Sequence, residues 1–223
     1  MKSPVASRAL RPALLVVSYK RMNDTRDLLL DAAEEAFAEG GFRGASVRQI
    51  TGRAQANLGA VTYHFGSKAL LFEAVVQRAV RELHGVLATA ADRPGTPLER
   101  LERVVQAHFG FLHEHPRVRR LILHVLLRDQ DLPTAIRYFR QTMGLVAEVI
   151  AEGQRTGDFR EGDPVLLAIS AMTQSVMFNL MRPMLRRGPG LDLDKPAVRK
   201  RVVEHALRFV RAGVARPPRG DRE

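Results

Sequence analysis

Between Ser46 and Lys68 the chain gathers side chains suited to gripping phosphate oxygens and reading base edges. Arg48 and Lys68 carry fixed positive charge, Ser46, Asn57, Thr62, Tyr63 and His64 offer hydrogen-bonding groups, and Gly59 and Ala60 leave room for close approach. From Gly40 to Lys68 there are four cations (Arg43, Arg48, Arg53 and Lys68) and no acid, the local asymmetry a phosphate-facing surface requires. Lys68 falls where a helix begins, so its charge opposes the helix dipole, a placement that makes sense beside a phosphate. Gly59 inside a helix would cost roughly 1 kcal/mol, which a close approach to a partner backbone would explain.

The elements that must position these groups are two short helices and the start of a third. Val47, Ile50 and Ala54 repeat at i, i+3 and i+7, with Ser46 as N-cap and Gln49 completing a capping-box pattern. After Gln55-Ala56-Asn57 the same spacing recurs at Leu58, Val61 and Phe65, which are therefore expected to face inward. Ser67 then caps a long amphipathic helix that begins Lys68-Ala69-Leu70-Leu71. Helices this short are not stable alone and need a third to pack on. One is expected from about Thr25 to Glu39, with Leu29, Ala33, Ala36 and Phe37 inward and Gly40-Gly41 as its stop. The arrangement is a helix-turn-helix, which lays its second helix in the major groove of DNA.

At Gly41-Phe42-Arg43-Gly44-Ala45-Ser46-Val47-Arg48-Gln49-Ile50 and Thr62-Tyr63-His64-Phe65-Gly66-Ser67-Lys68 the chain resembles the DNA-binding domain of TetR-type transcriptional regulators. The likeness runs over residues 24–72, about a fifth of the chain. It implies that Tyr63 contacts phosphate, and the DNA-contact set becomes Ser46, Arg48, Asn57, Leu58, Gly59, Ala60, Thr62, Tyr63, His64 and Lys68. Leu58 stands in that set although its spacing places it on the inward face, and Asn57 reads equally as a cap. One departure is Gln55, in a turn position that is usually Gly. A left-handed backbone there costs a non-Gly residue roughly 1–2 kcal/mol, so the turn is either different or strained.

The 223 residues carry a net charge of +11, but the excess sits in the tails. Residues 1–21 hold five cations and no acid, residues 182–223 hold twelve cations against five acids, and the remainder is near neutral. Total charge therefore adds little to the DNA reading. There are no cysteines, which excludes disulfides and thiolate metal sites and fits a cytoplasmic location. No stretch reaches the 18 or so apolar residues of a membrane span, and Ala13–Val17 is too short for a signal-peptide core.

Residues 1–22 read as an irregular extension, either ahead of a start at Met22 or a basic arm for the minor groove. Residues 23–67 form the helix-turn-helix domain, 68–215 a larger helical domain, and 216–223 a disordered tail. Beyond the helix of about Ser67–Ala90, helical patterns cover 97–114, 117–128, 131–156, 163–186 and 195–213, punctuated at Arg93-Pro94-Gly95-Thr96-Pro97, His115-Pro116, Leu132-Pro133, Gly157-Asp158, Asp163-Pro164, Gly188-Pro189-Gly190 and Lys195-Pro196. No run alternates with period two, so the fold class is all-α with about nine helices.

The resemblance further implies a homodimer built on the last two long helices, with Leu166, Ile169, Met172, Val176, Leu180 and Met184 of one beside Val198, Val202, Ala206, Phe209 and Val210 of the other. An ordinary core face is the alternative, but doubling one short recognition helix on a palindromic operator has its own logic. It also implies a small-molecule effector pocket, for which His108, Phe109, Leu112, His124, Leu127, Phe139, Met143 and Met177 are the candidates. Plain core is the competing reading of each. His108, His113, His115 and His124 lack the i, i+4 spacing of two metal ligands on one helix face, and no nucleophile–base pair is recognisable. Neither a cofactor nor an enzymatic activity is expected. The remaining alternative is a DNA-binding or protein-docking module without an effector.

Overall fold

The computed structural model describes residues 11–127 and 133–216, so residues 1–10 of the expected extension and all but one residue of the expected tail lie outside the described residues. Ten helices and no strand occur among them. Two compact units divide at Val75–Val76, inside the fourth helix, where the sequence reading placed the boundary at 67/68.

The first unit holds α1 (Arg11–Gly44), α2 (Val47–Arg53), α3 (Ala60–Phe65) and the first turns of α4 (Lys68–Asp92). α1 begins upstream of the expected Thr25, and its regular part ends where two glycines suggested, because Gly41 adopts φ 64°, ψ −172°. Leu29, Ala33, Ala36 and Phe37 are all buried, as the period predicts. Phe37 meets Phe72 edge-on at 4.9 Å between ring centroids, and Phe42 meets Phe72 at 5.4 Å. These rings, with Ile50, Val61 and Leu71, form the base on which the two short helices rest.

The second unit contains the remainder of α4, α5 (Pro97–Glu114), α6 (Pro116–Leu126), α7 (Pro133–Thr156), α8 (Pro164–Leu180), α9 (Arg182–Arg187) and α10 (Pro196–Val214). Pro97, Pro116, Pro133, Pro164 and Pro196 each open a helix, where the missing N–H costs nothing, whereas Pro94 and Pro189 lie between helices. Thr96 and Glu99 close a full capping box on α5, and Asp163 accepts from Val165 N and Leu166 N at the head of α8. The single helix expected over 163–186 is interrupted at Met181, since Pro183 has no N–H to continue the ladder. Leu101, Val104, Val146, Ile150, Ala168 and Met172 lie at the centre of the core. Gly153 is required there: a Cβ would stand 2.3 Å from the Phe159 ring.

Candidate nucleic-acid interface

The site is assembled by its caps. Ser46 Oγ accepts from Gln49 N at 3.1 Å and fixes the start of α2. Its end is a Schellman arrangement: Ala56 N donates to Thr51 O at 2.9 Å and Gln55 N to Gly52 O at 3.3 Å. The geometry forces Gln55 into the left-handed region, φ 52°, the only non-glycine residue there among the described residues. The turn is therefore the ordinary left-handed one, occupied by a residue that is strained in it. Ser67 Oγ accepts from Leu70 N at 3.1 Å and starts α4.

α3 has six residues and begins at Ala60, so the phase read from the sequence is off. Leu58 precedes the helix and is 62% exposed, whereas Ala60 is 6% exposed and turns inward beside Val61. The outward surface is Asn57, Leu58, Gly59, Thr62 and Tyr63, with His64 and Phe65 half-buried. Gly59 stands at the N-cap with φ −74° instead of mid-helix, which removes the helix-interior cost that had suggested close approach. Tyr63 projects outward at 71% exposure, its ring edge-on to His64 at 4.9 Å, which disfavours a packing role beneath the motif.

The four cations of the acid-free stretch separate into two kinds. Arg43 and Arg48 are exposed. Arg53 instead pairs with Glu39 at 2.6 Å and Glu35 at 3.6 Å, acids that α1 brings alongside. Lys68 Nζ donates to Ala45 O at 2.8 Å and lies 4.6 Å from the centre of the Phe42 ring. Its ammonium is thus held in place and retains further donors.

The residues expected around an effector divide between core and surface. His108, Phe109, Leu112 and Met143 are buried, His124 is half-buried, and Leu127, Phe139 and Met177 are exposed. His108 Nδ1 lies 2.5 Å from Ser175 Oγ, and burial pushes its pKa down to about 4. None of the eight lines either of the two concavities described, one along α4 and one between α6, α8 and α9. Of the expected dimer face, Met172, Val202, Ala206 and Val210 are buried within the chain; Ile169, Val176, Leu180 and Val198 are half-buried; Leu166, Met184 and Phe209 remain exposed. Met177 and Met181 add to the exposed surface of the same pair of helices. What the sequence reading missed is basic: Arg119, Arg120, Arg182 and Arg186 line the second concavity. Their signal was the doublet at 119–120 and the run at 182–187, the latter counted only as tail charge. No helix among the described residues is long and apolar enough to cross a membrane.

Comparisons with known proteins follow the same outline. Residues 29–75 match the family of bacterial regulatory proteins of the tetR type, and residues 97–210 match a tetracyclin repressor-like C-terminal domain. The HTH-type transcriptional repressor KstR2 of Mycobacterium tuberculosis is 30% identical over 149 residues, 63% of this chain and 72% of the relative. The HTH-type transcriptional repressor NicS of Pseudomonas putida is 26% identical over 149 residues, 65% of this chain and 70% of the relative. Among solved structures, SmeT, the repressor of the Stenotrophomonas maltophilia multidrug efflux pump SmeDEF, superposes with a TM-score of 0.66 at 26% identity. That match covers 87% of this chain and 94% of SmeT.

Proposed function

The chain belongs to the TetR family of DNA-binding transcriptional regulators, and from that premise we propose that it is an effector-responsive repressor acting as a homodimer in the cytoplasm. The observation that carries the DNA-contact assignment is the outward surface of α3. Thr62 and Tyr63 are exposed together with Asn57, Leu58 and Gly59, while Ala60 and Val61 anchor the helix from behind. Thr62, His64 and Asn57 supply base-edge chemistry, while Ser46, Arg48, Tyr63 and Lys68 supply the phosphate grip. Ala60 leaves the contact set because it is interior.

One such surface spans few base pairs, so two copies on a palindrome supply the specificity. The exposed apolar side chains of α8 to α10 (Leu166, Met177, Met181, Met184 and Phe209) are the proposed seam between the copies. The name "repressor" carried by the relatives supports the sign of regulation. An effector lowers operator affinity by binding better to the arrangement that cannot span successive grooves, and its leverage equals that differential affinity. α4, continuous from Lys68 to Asp92, is the element proposed to carry the bias. The protein performs no catalysis in this reading.

Selection of bound sites from random duplex DNA tests the proposal. Recovery of a palindrome with half-sites about one helical turn apart is expected. Recovery of no enriched sequence, or of an unpaired half-site, contradicts it.

A further inference from the structure

The second concavity, of about 500 Å³, brings together charge that the fold neutralises only in part. Arg119, Arg120, Arg182 and Arg186 face it against Asp192 and Asp194, four cations to two acids. Asp194 is already taken by Arg182, and Asp192 Oδ1 accepts the Asp194 amide at 3.1 Å. Arg119 donates to Leu112 O at 3.1 Å. Its pKa is lowered first by burial and then by the neighbouring Arg182 and Arg120, against the opposing effect of Asp194.

His113 belongs to the same wall. Its Nε2 lies 2.7 Å from Arg199 Nη1, and an arginine can only donate, so Nε2 accepts. The ring proton therefore sits on Nδ1, which is buried with no hydrogen-bond partner. Burial, Arg182 and Arg199 hold the His113 pKa below its usual value, so the neutral ring keeps that tautomer. A buried N–H without an acceptor is costly, so this wall of the concavity is held at some expense. The remaining wall is apolar, formed by Leu123, Leu180, Pro116 and Pro183.

We infer that this concavity binds a small organic acid, its carboxylate held among the arginines and its aliphatic body against the leucines and prolines. The inference rests on the effector-responsive reading and names the chemical class of the effector.

The test is calorimetric titration of the full chain, without DNA, using octanoate and, as an uncharged probe of the same chain length, 1-octanol. Octanoate is expected to bind and octanol not. Arg120→Gln combined with Arg186→Gln, both exposed positions, is expected to weaken octanoate at least tenfold at unchanged helicity and melting. Equal binding of the two probes, no octanoate binding, or unchanged affinity in the double variant overturns the inference. Because DNA is absent, those results leave the operator-binding proposal standing. Conversely, octanoate binding by a protein that selects no DNA sequence would sink that proposal and leave this site intact.

Discussion

Lys68 Nζ donates to the carbonyl oxygen of Ala45 at 2.8 Å, tying the first residue of α4 to the turn that launches α2. With the Phe42 ring 4.6 Å away, the ammonium serves as a clamp before any DNA arrives. Hydrogen bonds from charged groups contribute about 1.5–3 kcal/mol, less where partly exposed as here. Lys68→Met is expected to cost about 1 kcal/mol in chemical denaturation. It is also expected to weaken operator binding and to reduce the slope of log affinity against log salt by about one. Unaltered stability would remove the clamp, and an unaltered slope would remove the phosphate contact.

Gln55 pays for the turn between α2 and α3 with a left-handed backbone at φ 52°. Glycine takes that conformation freely, though it loses more entropy on folding. Gln55→Gly is expected to stabilise the protein by about 0.5–1 kcal/mol in urea denaturation, with operator affinity unchanged or improved. Destabilisation would mean that the Gln55 side chain contributes something the backbone does not reveal.

Legibility in the sequence followed the range of the interactions. Ser46, Ser67 and Gly41 act on neighbours a few residues away, so the caps and stops of the helix-turn-helix could be read directly. Leu58 and Ala60 exchanged places because a six-residue helix is too short for its apolar period to fix the phase. Arg53 read as a phosphate-facing cation until α1 supplied Glu35 and Glu39 from earlier in the chain. The basic concavity lay furthest from view, since Arg119 and Arg182 meet only after α6, α8 and α9 have packed. The long helix expected over 163–186 failed at Pro183, whose position inside an apolar run was visible but outweighed by the period around it.

Acid should destabilise the second unit through His108. Its pKa in the folded chain is about 4, below the ordinary 6.5, because burial disfavours the charged ring. Between those values the unfolded chain binds a proton that the native one refuses. Stability is therefore complete above about pH 6.5 and falls toward pH 4. The loss attributable to this group is about 2 kcal/mol on going from pH 7.5 to pH 5. His113, also lowered, adds in the same direction. Denaturation curves at the two pH values should show a smaller difference in His108→Gln than in the parent chain, and an equal difference would contradict the assignment.

Leu166 is 63% and Phe209 57% exposed on the helices proposed to meet in the dimer. Leu166→Arg with Phe209→Asp places charge in that seam without touching the buried Met172 or Val202. Sedimentation should show the parent as a dimer and the variant as a folded monomer, with operator binding weakened at least a hundredfold. A variant that stays dimeric would move the interface elsewhere.

The most direct test of the central claim compares the parent chain with Thr62→Ala combined with Tyr63→Ala on the palindrome recovered by selection. Both residues are exposed, so the pair can be removed without opening the core. The account predicts at least a tenfold loss of operator affinity at fixed salt, with helicity and melting unchanged. Parent-like affinity in the folded double variant would contradict it.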